Sequence, residues 1–299
     1  MATLYTHKDS NIRKTWFLMT SFFLVVMGLG WFFSWYMGDQ IILVLAVALA
    51  IGMNVFAYWN SAKLVVWTSG AKPADEKQFR ELHNIVENLA ITAGLPTPKI
   101  AIIPDSAINA FATGRDPQHA TIAVTSGAIE QLTNEELEGV IAHELSHVKN
   151  YDIRVMMVVI VLVGTIALLA DWLLRARWYA GSRGERSDRQ GAAGILLALG
   201  IVLAIVAPIA AQLIKFAVAR RREYLADASG ALLTRYPEGL ARALEKIAAA
   251  NQPILHPNTA TAHLYLANPF GGRRQWFTNL LSTHPPIDDR IRILRSMAV

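Results

Sequence analysis

The sequence predicts a helical membrane protein that also carries an α+β domain built on a small β-sheet. Three observations lead there. Hydrophobic residues make up 53% of the 299 residues and charged residues 17%, against about 25% charged in ordinary soluble domains. Four apolar runs, at about 16–37, 41–59, 155–174 and 195–219, each approach the ~20 residues that a helix needs to cross a bilayer. Between and after them lie polar stretches with helix and strand periodicity of their own. One of these holds His143-Glu144-Leu145-Ser146-His147.

The first two runs are separated only by Gly38-Asp39-Gln40, so they read as a hairpin of spanning helices and not as a cleavable signal peptide. Trp16, Trp31, Trp35, Tyr36, Tyr58 and Trp59 lie near the run ends, where amphipathic rings favour the interface. Lys8, Arg13 and Lys14 precede the pair, and Lys63, Lys72, Lys77 and Arg80 follow it. The connecting loop carries no cation, which puts both outer flanks on the cytoplasmic side. The second pair is ambiguous. Its connection holds Arg175, Arg177, Arg183, Arg186 and Arg189, a poor composition for a short translocated loop. Residues 155–219 either span against the rule or dip in without crossing, and the sequence leaves both open. The resulting division is a hairpin at 1–60, a first soluble part at 61–154, the second apolar hairpin at 155–219 and a second soluble part at 220–299.

In the soluble parts, 73–94 reads as one amphipathic helix. Phe79, Leu82, Ile85, Val86 and Leu89 form its stripe, Pro73 its first turn and Gly94 its cap. Proline-fenced Lys99–Ile103 reads as a strand. Two more strands follow at about Ala110–Thr113 and Ala120–Thr125, with a Gly, Asp and Pro turn between them. Thr133 and Glu136 have capping-box spacing at the start of the next helix, and Glu135, Glu136 and Glu138 suit its positive end.

That helix carries His143 and His147 four residues apart, on one face. Two imidazoles so placed can share one zinc ion, which takes nitrogen ligands at about 2.0–2.1 Å. Glu144 lies beside the metal position but off the ligand face. It suits a general base for water whose pKa zinc lowers to about 7. The chain has no cysteine, which excludes a thiol nucleophile, a disulfide framework and a cysteine-ligated metal. The further ligand must then be a His, Asp or Glu. The extension His-x-x-Gly-x-x-His is absent, because Asn150 and Ile153 stand in it. The next candidates are Glu223 and Asp227 in "RRREYLADASG", again at i, i+4. Glu223 has the longer reach, and Asp227 could orient a ligand histidine. A solvated charged helix end would have the same letters, but the flanking Tyr224, Leu225, Ala226, Ala228 and Ala231 favour a packed helix.

"HELSH", "EYLAD" and "STHPPIDDR", in this order between pairs of apolar helices, resemble the HtpX family of membrane-bound zinc metalloproteases, whose superfamily includes the CAAX prenyl endopeptidases. The resemblance runs over essentially the whole chain and implies a zincin-like (gluzincin) catalytic domain. It implies one Zn2+ held by His143, His147 and Glu223, with Glu144 as general base. "NAFA" is similar to the edge-strand segment of thermolysin-like zinc proteases, which implies that Asn109, Ala110 and Phe111 bind an extended substrate by β-augmentation. His284 would stabilise the oxyanion, and Arg290 would pair with Asp227. Without the family, His284 is a loop histidine before a Pro-started helix.

The expected function is an integral-membrane zinc endopeptidase of the bacterial cytoplasmic (inner) membrane, with its site facing the cytoplasm. Its partners are the lipid bilayer and membrane or misfolded polypeptides, cut in cytoplasmic segments as quality control; the quality-control role comes from the resemblance alone. The formal charge of +5 is modest and no nucleic-acid motif appears. Two alternatives remain open. One is a narrow-specificity processing protease of the CAAX type. The other is a non-catalytic membrane scaffold with a metal site, against which the intact Glu144 argues.

Overall fold

The structure is a computed structural model that describes residues 4–162, 164, 220–255, 264–266 and 285–297. Helices α1 (Leu4–Met37) and α2 (Ile41–Thr68) form a hairpin. They run antiparallel: Trp16 stacks near Tyr58 at 6.2 Å, and Asn54 Nδ2 donates to the Met19 carbonyl at 3.3 Å. Both contain 28-residue stretches long and apolar enough to cross a membrane, about 42 Å each at 1.5 Å per residue. Trp31, Trp35, Val44, Leu45 and Trp59 are exposed along them, so neither is the buried core helix of a soluble domain. Helix α2 continues well past Trp59, because the polar Asn60-Ser61 pair contains no helix breaker and Ser61 is buried.

The sequence expectation of one helix over 73–94 is corrected. Lys72–Pro73 is a short strand, β1, and helix α3 begins only at Arg80 and ends at Ala93. Pro73 suits an edge position, where its missing N–H costs nothing. Asp75 then accepts from the Lys77 and Gln78 backbone N–H groups, which favours a turn over a helix. Gly94 ends α3 in the left-handed conformation, at φ 68°.

Strands β2 (Lys99–Ile103), β3 (Ala110–Thr113) and β4 (Thr121–Thr125) complete a four-stranded mixed sheet of order β1-β2-β4-β3. Strand β4 is parallel to β2 and antiparallel to β3, with Ala110 opposite Val124 and Thr113 opposite Thr121. Strand β3 is therefore the outer strand on that side. Short helix α4 (Ser126–Gln131) leads to α5 (Asn134–Lys149), which starts on the expected capping box: Thr133 N–H donates to Glu136 Oε2 at 2.8 Å, and Glu136 N–H to Thr133 Oγ1 at 3.4 Å.

Helix α5 is buried on nearly every side from Glu136 to Val148, enclosed by α3, β3, α6 (Arg220–Thr234) and α7 (Pro237–Ala250). Two glycines permit this. A Cβ on Gly139 would lie 2.5 Å from Leu240 N, and one on Gly230 would lie 3.0 Å from His143 N. Helix α8 (Ile287–Arg295) packs on α6 and α7. After α5 the chain turns at Tyr151 and is helical again over 152–162. There Val155, Val158, Val159, Val161 and Leu162 share an apolar cluster with Leu18, Phe22 and Ala57 of the hairpin. The third apolar run thus starts against the first two. Apart from residue 164, the rest of it, the fourth run and the arginine-rich connection lie outside the described residues.

Candidate active site

The second half of α5 brings His143 and His147 together. Their rings meet edge to face, and the two Nε2 atoms are 3.2 Å apart. Glu223, from the first turn of α6, faces both: Oε1 is 3.5 Å from His147 Nε2, and Oε2 is 3.8 Å from His143 Nε2. All three side chains are buried. Close approach of α6 at Gly230 sets this spacing, since Gly230 lies over the His143 backbone.

The other ring nitrogens are held by carboxylates. His143 Nδ1 is 2.9 Å from Asp227 Oδ1, and His147 Nδ1 is 3.2 Å from Asp152 Oδ2. Arg290, from α8, clamps Asp227 with Nε to Oδ2 at 2.8 Å and Nη2 to Oδ1 at 2.7 Å, and its side chain is fully buried. The Asp152 Oδ1 atom receives Asn11 Nδ2 at 2.8 Å, with Arg222 Nη1 3.3 Å away. Burial alone would raise the Asp227 carboxyl. Arg290 and the His143 hydrogen bond outweigh it and hold the group below the usual carboxylate range. Burial also opposes protonation of His147, yet the Asp152 hydrogen bond and the charges of Glu223, Asp152 and Glu144 push it up to about 9.

Glu144 is buried beside the histidines. Burial pushes its carboxyl above the usual range, the imidazoles counter this, and Glu223 adds to it. The Ala112 backbone N–H donates to the same carboxylate. A cavity of about 10 Å³ touches Ala112, Glu144, Met156 and the segment Leu264–Leu266, close to the minimum for one water.

Of the predicted edge residues, Asn109 is buried, and its Oδ1 accepts the Ala110 N–H at 3.1 Å. The outward carbonyl of Ala110 accepts the Leu266 N–H at 3.0 Å. Phe111 points into the core against Tyr265, centroids 5.1 Å apart. The backbone groups on the site side of β3 are thus those of Ala110 and Ala112. His284 lies outside the described residues.

A model of peptidase family M48 matches residues 76–298. The chain belongs to peptidase family M48. It is 44% identical to a protease HtpX homolog of Caldanaerobacter subterraneus subsp. tengcongensis over 299 residues, 99% of each chain. It is 46% identical to one of Dictyoglomus thermophilum, over 99% of this chain and 95% of the relative. A third, of Thermococcus sibiricus, is 47% identical over 88% of this chain and 89% of its own. The HtpX resemblance read from the motifs therefore holds over nearly the whole length. Among solved structures the M48 chain resembles S. mikatae Ste24p, with a TM-score of 0.52 at 18% identity. That match covers 93% of this chain and 62% of Ste24p, and it shows a shared fold. As an M48 member the chain is a metalloprotease, a hydrolase acting on peptides, and its two exposed apolar helices mark it as a membrane protein.

The M48 family implies a metal, typically zinc, and the residues present fit one. With each Nδ1 held by a carboxylate, the two Nε2 atoms, 3.2 Å apart, are the ring nitrogens that face the Glu223 carboxylate. A metal ion there would take the place of the proton that the surrounding carboxylates otherwise hold on His147. Two ligands each about 2.0–2.1 Å from a tetrahedral centre are about 3.3–3.4 Å apart, near the observed spacing. The charge agrees as well. Among the described residues, the carboxylates of Glu144, Glu223, Asp152 and Asp227 gather around the site with Arg290 and Arg222 against them, a setting that favours a cation.

Sequence reasoning missed Asp152. Five residues past His147 it would sit about 140° away on a continuous helix. Tyr151, a non-glycine residue at φ 60°, folds it back under the imidazole. It also missed Asn11, one of several polar residues in the stretch that precedes the first apolar run.

Proposed function

We propose that this M48 chain is a zinc-dependent endopeptidase that cleaves membrane or misfolded proteins in cytoplasmic segments, in membrane-protein quality control at the cytoplasmic membrane. The observation that carries the chemistry is the convergence of His143, His147 and Glu223 within 4.8 Å of one another, with buried Glu144 beside them. His143, His147 and Glu223 would hold the ion. Zinc bound there supplies Lewis-acid polarisation of the peptide carbonyl and acidifies water toward neutral pH. Glu144 takes the proton of the attacking water and delivers it to the leaving amine. Its raised pKa suits both directions of transfer. Asp227 and Asp152 keep the imidazole tautomers fixed, and Arg290 holds Asp227. His284 is assigned to the developing oxyanion.

An extended substrate would lie along the outer edge of β3, within a zincin-like domain. Its N–H would take the Ala110 carbonyl bond now held by Leu266, and Asn109 and Phe111 would shape that edge from behind. Main-chain pairing of this kind reads little sequence, in keeping with a protease that accepts many unfolded segments. The cation-rich ends of the first hairpin support a site on the cytoplasmic side. The test is casein or membrane-substrate cleavage by the detergent-solubilised full chain with zinc. Glu144→Gln should lower kcat by about 10²–10⁴-fold with zinc still bound. Equal cleavage by both proteins would remove the reaction from this site.

A further inference from the structure

We propose that Asn11, on the first membrane helix, is a positioning residue of the metal site, acting on His147 through Asp152. The inference rests on the reading of His143, His147 and Glu223 as metal ligands.

Asn11 is 4% exposed, on a helix whose apolar run begins five residues later at Trp16. Burying an unpaired amide is costly, and this one is paired. Its Nδ2 donates to the Asn150 carbonyl at 2.8 Å and to Asp152 Oδ1 at 2.8 Å. Both partners are acceptors only, so the amide can be oriented in just one way here. The Asn150 carbonyl belongs to the residue that caps α5, the helix bearing the histidines. One side chain of α1 therefore grips both the end of that helix and the carboxylate behind its second histidine.

The direction of the grip matters. With Oδ1 of Asp152 held by Asn11 and facing Arg222 at 3.3 Å, Oδ2 is turned to His147 Nδ1 at 3.2 Å. The same logic operates on His143, where Arg290 fixes Asp227 from α8. The site thus has two orienting relays, one anchored in the soluble domain and one in the membrane hairpin. Further contacts brace the second relay. Lys8 Nζ lies 5.1 Å from the Tyr151 ring centroid, and the Arg154 guanidinium lies 4.6 Å from the same ring and 5.6 Å from that of Tyr58. On this account the hairpin completes the metal site and does more than anchor it.

The test measures zinc affinity of the detergent-solubilised full chain against a competing chelator, with the visible spectrum of the Co2+-substituted protein as a second readout. Asn11→Ala should weaken zinc binding about 10-fold, the lower end for groups that orient a metal ligand, and should alter the cobalt bands. Asn11→Ser, which keeps a shorter polar group, should fall between. Thr15→Val is the control: Thr15 is also buried, one turn on, and among the described residues its hydroxyl bonds only the Asn11 carbonyl, at 2.9 Å, so zinc affinity should not change. Asn11→Ala should cost less zinc affinity in an Asp152→Ala background than on its own, because its effect on His147 runs through Asp152. Unchanged affinity and cobalt bands in Asn11→Ala and Asn11→Ser would overturn the proposal, as would an equal loss in Thr15→Val. Glu223→Ala separates this from the underlying reading: if it keeps full zinc affinity, the ligand assignment itself fails.

Discussion

Arg290 and Asp227 form a fully buried two-point ion pair, at 2.8 and 2.7 Å, and the same carboxylate holds His143 at 2.9 Å. Breaking a buried pair from one side leaves a stranded charge, typically at a cost of about 3–5 kcal/mol. Arg290→Leu is therefore expected to lower stability by that order and to weaken metal binding, since Asp227 loses its orientation. The double change Arg290→Leu with Asp227→Asn should recover part of the stability without recovering the metal. Thermal melts with and without zinc, run on all three proteins, check this. Recovery of both together would mean that the pair does not orient His143.

Gly139 and Gly230 offer a contrast between packing and function. A methyl at Gly139 meets the Leu240 backbone at 2.5 Å, and one at Gly230 meets the His143 backbone nitrogen at 3.0 Å. Overpacking of this kind costs about 1–3 kcal/mol. Gly139→Ala should lower the melting temperature and leave zinc affinity intact. Gly230→Ala should also displace His143 and weaken zinc binding. Isothermal titration of both variants decides it; an unaffected affinity in Gly230→Ala would show that α6 can yield without moving the ligand.

Why the sequence was legible in some places and not in others follows from distance along the chain. The α5 start needs only Thr133 and Glu136, three residues apart, and the capping box forms as read. His143 with His147, and Glu223 with Asp227, are each fixed by one helical turn, so their shared faces could be seen in advance. That the two pairs meet could be expected only through the motif order. Asp152 depends on one backbone angle at Tyr151, and Asn11 on a contact across 141 residues. Neither leaves a periodic trace. The start of α3 was misread because the amphipathic stripe continues back to Phe79, while β1 pairing and the Asp75 turn claim the residues before it. Edge strand β3 was found from its pattern, but not that Leu266 lies on its outer carbonyl.

The junction of α7 and α8 should carry part of the acid sensitivity of the fold. Arg295 bridges Glu238 at 3.0 Å and Glu245 at 2.7 Å. The Arg295 hydrogen bond holds the Glu238 carboxyl below its usual value. A carboxyl with a depressed folded pKa stabilises the fold above its unfolded value, about 4.3, and that stability is lost as pH falls through the folded pKa. The pair is at the surface, so the effect is small and salt-sensitive. Arg295→Gln should flatten the fall in melting temperature as pH drops from about 5 through the folded pKa of Glu238, and high salt should mimic it in the unmutated chain. Parallel curves for the two proteins would rule this contribution out.

Metal removal should expose the strain that makes the site a cation site. Without an ion, Glu223 faces Glu144 and two imidazoles whose Nδ1 atoms are already committed. A ligand that binds only the folded state raises stability by RT ln(1 + [L]/Kd), about 4 kcal/mol at a thousandfold excess over Kd. Chelation should therefore lower the melting temperature of the unmutated chain markedly. Glu223→Gln should narrow the gap. It removes an anionic ligand, so added zinc returns less. The measurement is the melting temperature with chelator and with saturating zinc, for both proteins. A gap of unchanged size in Glu223→Gln would exclude Glu223 as a ligand and shift the search for that ligand to groups beyond the two histidines.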